Sequence, residues 1–164
     1  MLIVVNDLMQ SDYQYETEEE EGQGFNIDFK PELTPKQMLE LGVFEGHYLN
    51  DCKKEFPLEW FENAKISDKP DIMCNCFKVK SRLSLTEWKS KGWIYGPDVR
   101  GWFQWYCRYY LGRRIAEIDM IQIKRWKSFY RHKAQLEKNC MQFDFFCRLK
   151  QRQALLQWAY NPFI

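Results

Sequence analysis

The sequence predicts a mainly α protein: a single compact helical domain of about five to six helices, with a minor β-hairpin. Three observations predict it. Thr34-Pro-Lys-Gln37 and Ser84-Leu-Thr-Glu87 both have the form of a capping box, in which a hydroxyl and a side chain three residues later satisfy the first free amides of a helix. Glycines 42, 92 and 112 stand where helices would stop. Beyond residue 100 the apolar positions recur every three or four residues. A chain of 164 residues with a 45% hydrophobic share is about one domain and can bury a core without disulfides or metal.

Leu2–Val5 reads as a short strand. Residues 11–24 read as disordered, because Glu18–Glu21 followed by Gly22-Gln-Gly24 offers almost nothing to bury. The expected organisation is therefore an acidic N-terminal segment over residues 1–24 and a helical domain over residues 25–164. Within the domain, Thr34 opens a helix carrying Met38, Leu39 and Leu41. Phe56–Phe61 reads as a helix opening on Pro57. Residues 71–79 alternate partly, as a strand would. The helix opened by Ser84 stops before Gly92, and Trp93–Asp98 is a loop turning at Gly96-Pro97. Asp98 is placed to cap the next helix, which runs to Gly112. A long helix over about residues 116–138 follows. The last starts at Asp144 and ends at Asn161-Pro162.

Charge is divided along the chain. Residues 1–70 carry 16 acidic and 6 basic side chains, residues 71–164 carry 7 and 18, and the net charge is only +1. Either the two parts neutralise each other inside one fold, or the basic part meets an anionic partner. Six cysteines are scattered without a preceding basic, apolar leader, and no apolar run approaches the ~20 residues of a membrane span. The expectation is an intracellular protein of a reducing compartment, cytoplasm or nucleus, with free thiols and no membrane contact. Cys74-Asn-Cys76 and the interval from Cys140 to Cys147 miss zinc spacing, so no metal and no cofactor is expected.

The densest chemistry lies in Arg100–Arg114, which holds six aromatic rings and four arginines in fifteen residues. Trp102, Trp105, Tyr106 and Tyr109 share one helical face and read as core. Arg100, Arg108, Arg113 and Arg114 would then form a cationic cluster, extended by Lys124, Arg125 and Arg131 on the next helix. Lys124, Lys127 and Arg131 share a face there, and stacked like charges call for an anion. Rings beside guanidinium groups suit stacking on bases and clamping phosphates. Trp93 and Tyr95, on a loop, are the candidates for stacking on an unpaired base. For chemistry, the candidates are Cys52, near His47 and two lysines; Asp98, beside the arginines; and His132. Cys52 also reads as a buried structural thiol and Asp98 as a helix cap.

Several stretches resemble a family of small uncharacterised proteins of large DNA viruses, phages, bacteria and fungi. They are Thr34–Gly46, Asp51–Pro57, Lys91–Ile94, Arg100–Tyr110, Gln122–Trp126 and Gln151–Trp158. The resemblance covers about residues 33–160. It departs from the family pattern near Val99, where a proline would be expected. It implies a viral or phage-like setting but carries no activity or site residue.

Together these readings predict a nucleic-acid-binding protein that takes DNA or RNA, single strands favoured, in an Arg/Lys-lined groove with aromatic stacking. The first alternative is an enzyme acting on a nucleotide or base in the same groove. The second is an interaction module for an acidic protein partner.

Overall fold

The Thr34 hydroxyl accepts a hydrogen bond from the Gln37 amide, and the Gln37 side chain accepts one from the Thr34 amide. This closed pair starts α1 (Pro35–Leu41), which ends at Gly42. The computed structural model describes residues 1–82 and 85–164. Among these, four more helices follow: α2 (Leu85–Ser90), α3 (Trp102–Leu111), α4 (Ala116–Asn139) and α5 (Leu149–Gln157). A two-stranded antiparallel hairpin pairs β1 (Leu2–Val5) with β2 (Tyr13–Glu16), Leu2 lying opposite Glu16 and Val5 opposite Tyr13. The fold is mainly α with a minor hairpin. The capping residue expected at Ser84 lies outside the described residues.

Helix α3 is the axis of the core. Trp102 through Tyr109 are all buried, so the helix is covered on every side. Phe29 sits against its aromatic face, edge-on to Trp102, Tyr106 and Tyr109 and 5.0 Å from Trp126 of α4. Edge-to-face packing of this kind sets the positive rim of one ring on the negative face of another. The stripe expected to be core is core. Leu155 and Leu156 of α5 complete it.

Four local expectations change. Phe56–Phe61 contains only a 3-10 turn, Leu58–Trp60. Residues 71–79 hold another, Ile72–Cys74, because the Asp71 carboxylate accepts from the Met73 amide and curls the backbone away from a strand. Asp98 does not cap α3; Gly101 occupies that place with no side-chain cap. Asp144 instead caps a turn at Phe146, and α5 starts only at Leu149.

The acidic segment is ordered, against expectation. Tyr13–Glu16 is β2, and the chain then crosses the C-terminal end of α3. The amides of Glu18 and Glu19 donate to the Gly112 carbonyl, and Gly22 N donates to Tyr110 O. Helix ends carry unpaired carbonyls, and the glutamate segment's backbone satisfies two of them. A Cβ on Gly112 would lie 2.0 Å from the Glu19 carbonyl, and Gly112 has φ 118°, so glycine is required there. Composition predicted disorder because the segment has little of its own to bury; its order comes from these backbone bonds and from contacts with distant side chains, Tyr15 on Glu55, Trp60 on Glu21 and Arg114 on the Gln23 and Gly24 carbonyls. The cysteine expectation also changes: Cys140 and Cys147 are joined by a disulfide, and Cys52, Cys74, Cys76 and Cys107 are free. Among the described residues no helix is long and apolar enough to cross a membrane.

Candidate nucleic-acid interface

Asp98 is fully buried between two arginines of the expected cationic cluster. Arg113 holds it with two bonds of 2.7 Å, and Arg108 Nη1 adds a third at 3.0 Å. Arg108 also grips Glu55 through Nε at 2.7 Å and Nη2 at 3.0 Å, and Tyr15 donates to the same carboxylate. Burial works against the Arg108 charge, but the Glu55 hydrogen bond and the charges of Glu55 and Asp98 outweigh it and hold the guanidinium above its ordinary pKa. Arg100 is buried on Asp51 at 2.8 Å and Asp7 at 3.2 Å. Arg114 lies 3.6 Å over the Tyr109 ring and donates to the carbonyls of Tyr109, Arg113, Gln23 and Gly24.

These contacts correct the sequence reading. Arg100, Arg108 and Arg113 are interior ion-pair members, and Arg114 is a backbone clamp, so none is placed to hold phosphate. Arg100 and Arg108 draw their acids from the N-terminal half, at Asp7, Asp51 and Glu55. Much of the charge division along the chain is therefore internal neutralisation.

The catalytic candidates fare similarly. Cys52 is buried, donates to the Leu49 carbonyl, and its thiol is pushed up to about 12, chiefly by burial. A protonated, enclosed thiol is not a nucleophile. His47 is exposed and bonded to the Ser67 carbonyl rather than to Cys52. Asp98 is enclosed by its arginines. His132 lies 4.4 Å from the Phe129 ring and 3.1 Å from the Gln151 amide nitrogen, and burial, with Arg131 nearby, lowers its pKa. Among the described residues no three His, Cys, Asp or Glu side chains cluster to hold a metal ion.

The remaining predicted residues lead to a different surface. A cleft of about 440 Å³ opens between α2, the start of α3, α4 and α5. Trp88, Trp93, Trp102, Phe129 and Trp158 line it, with Arg82, Arg125 and Arg131 among them. Trp158 is stacked on Phe129 at 4.9 Å and 14°. Arg125 lies 5.3 Å over both Tyr95 and Trp158 and donates to the Trp93 carbonyl and to Gln122. Burial lowers its pKa. Among the described residues neither Arg125 nor Arg131 forms an ion pair, and Arg82 has only a loose one, 3.8 Å from Glu45. Trp93 is 39% exposed, with the Lys91 ammonium 5.4 Å above its ring. Lys124 is exposed on α4.

Of the predicted interface, the structure thus brings together Trp93, Tyr95, Arg125 and Arg131 and leaves Lys124 on the adjoining helix face. Sequence reading missed Arg82, Trp88, Phe129 and Trp158. Phe129 and Arg125 are four apart on one helix, a signal that was available. Trp158 and Arg82 come from distant segments, and only the fold joins them.

Compared with protein-family models, curated proteins and solved structures, the chain finds no match.

Proposed function

We propose that the protein binds nucleic acid, with single strands favoured, in the cleft bounded by Trp93, Arg125, Arg131 and Trp158. One observation carries this reading: the guanidinium groups of Arg125 and Arg131, which form no ion pair among the described residues, converge with that of Arg82, held only loosely by Glu45 at 3.8 Å, on a cleft walled by exposed and stacked rings. Unpaired arginines attract phosphate, and ring faces accept any base that is free of its duplex partner. Double-stranded DNA keeps its bases stacked, so its rings could not enter such a cleft. Stacking on aromatic side chains contributes about 1–3 kcal/mol per base.

Fluorescence anisotropy with a labelled single-stranded 12-mer tests this. Three phosphate contacts on a single strand give a slope of about −2 in log affinity against log salt. The Arg125→Ala, Arg131→Ala double variant is expected to bind at least 10-fold more weakly. Unchanged affinity in that variant overturns the reading. The competing enzymatic reading loses two of its three chemical groups, since Cys52 and Asp98 are enclosed away from the cleft.

A further inference from the structure

The segment joining α4 to α5 displays apolar side chains outward. Met141 is 82% exposed, Phe143 74% and Phe146 87%. Large rings so exposed and so close together mark an interaction site. The loop that carries them is firmly built. The Cys140–Cys147 disulfide closes it. Arg152, fully buried, donates to the carbonyls of Asp144 at 2.9 Å and Cys147 at 2.7 Å from inside, and to Pro162 at 2.7 Å. Phe145 turns inward onto Phe163 and the Arg152 guanidinium. Phe143 adopts φ 69°, a left-handed conformation that costs a bulky residue energy. The display of Phe143 and Phe146 is thus held in place by covalent and buried polar constraints.

The loop is continuous with the proposed interface. Lys124, Arg131 and Lys138 are exposed at seven-residue intervals on α4, which keeps them near one line along the helix. At 1.5 Å per residue the line runs about 20 Å from Lys124 to Lys138, enough for several phosphates of one strand. Arg131 belongs to the cleft, and Lys138 stands two residues before the loop. On the far side Arg148 and Lys150 are also exposed. The acid within the loop, Asp144, turns a carboxylate oxygen onto the Phe146 amide.

We infer that the disulfide-closed loop is a second stacking station, where Phe143 and Phe146 take bases of a single strand that runs from the cleft along the cations of α4. This inference rests on the nucleic-acid reading above. Protruding rings flanked by cations serve this role in nucleic-acid binders, which stack bases on aromatic faces or wedge apolar side chains between them. A strand engaging both stations gains effective concentration at the second once the first is bound.

The test compares two labelled probes, a dT dinucleotide that fills only the cleft and a dT 12-mer that spans both stations. Phe143→Ser with Phe146→Ser changes exposed side chains, and circular dichroism and a thermal melt check the fold. The double variant is expected to bind the 12-mer about 10-fold more weakly and the dinucleotide as well as the parent does. Cys140→Ser with Cys147→Ser should move the 12-mer affinity in the same direction. Unchanged 12-mer affinity in the phenylalanine variant, with Arg131→Ala still weakening both probes, overturns the second station and leaves the cleft standing. If neither probe binds the parent protein, both readings fall. Cosedimentation with phosphatidylserine vesicles that needs Phe143 and Phe146, with 12-mer binding indifferent to them, assigns the loop to a lipid surface and also overturns the inference.

Discussion

Arg113 and Asp98 face each other through two parallel hydrogen bonds of 2.7 Å, with both side chains closed off from solvent. Arg108 completes the arrangement with a third bond, to the Oδ1 oxygen that Arg113 Nη1 also holds. One negative charge thus serves two positive ones, and Glu55 restores the balance by holding Arg108 a second time. Removing a member of a buried ion network leaves uncompensated charge in a poorly polarisable interior, which is costly even where the intact network gives little net stability.

Asp98→Asn would leave the buried Arg113 guanidinium without a carboxylate and Arg108 with Glu55 alone. Urea unfolding should show a loss of about 3–5 kcal/mol, by the usual cost of breaking a buried pair. The Arg113→Ala, Arg114→Ala variant should likewise lose stability, yet its folded form should bind a 12-mer as the parent does. A drop in affinity as large as that of the Arg125→Ala, Arg131→Ala variant would place phosphate at the C-terminal end of α3 instead.

Two carboxylates should pull the acid limb of the stability curve in opposite directions. For Asp7, burial acts to raise the pKa, but the amides of Met9 and Gln10 and the Arg100 guanidinium overcome it and leave it lowered. Its contribution is present above the ordinary carboxylate pKa and disappears as pH falls through the lower folded value. For Asp119, burial dominates and raises the pKa, despite bonds from Trp105 Nε1 and the Ile115 amide. Its contribution is complete below the ordinary value and is lost as pH rises through the raised one. Urea unfolding of the parent, Asp7→Asn and Asp119→Asn proteins across pH 2.5–7, a range reaching roughly one unit below and three above the ordinary carboxylate pKa, checks both signs. The parent's advantage over Asp7→Asn should shrink toward acid, and its advantage relative to Asp119→Asn should grow.

How much of this was legible in the sequence depends on how local each cause is. The α1 cap needed only Thr34 and Gln37, and the α3 stop needed only Gly112, so both were readable. The aromatic stripe of α3 was readable because core packing follows a 3.6-residue period. The fate of the arginines was not. Arg108 reads as an exposed cation beside the stripe until Glu55, 53 residues away, is brought to it. The order of the acidic segment was hidden for a related reason: it comes from backbone bonds to the end of α3 and from the distant side chains of Glu55, Trp60 and Arg114, which composition does not encode. The disulfide was not legible because a reducing compartment implies free thiols and only the fold brings Cys140 and Cys147 together.

That disulfide should stabilise the fold modestly. Closing a loop this short removes unfolded-state entropy worth about 2 kcal/mol on the chain-entropy account. Adding a phosphine reductant should lower the melting temperature of the parent, and the Cys140→Ser, Cys147→Ser variant should melt at the reduced protein's temperature with or without the reagent. A melting temperature indifferent to reductant in the parent would mean that the loop is held by Arg152 alone.

Arg125 distinguishes charge from shape at the cleft. Its flat guanidinium lies over Tyr95 and Trp158 while donating to the Trp93 carbonyl, so it positions three rings as well as carrying charge. Arg125→Lys keeps the charge but lacks the planar fork and the surface that stacks on rings. The lysine variant should therefore leave the salt slope of single-strand binding nearly unchanged while weakening affinity about 5- to 10-fold, the scale of one lost stacking interaction of roughly 1 kcal/mol. Arg125→Ala should do both, reducing the slope by about 0.7 for the lost phosphate contact. Equal affinity in the parent and the lysine variant would show that Arg125 acts only as a point charge and that the rings around it are core.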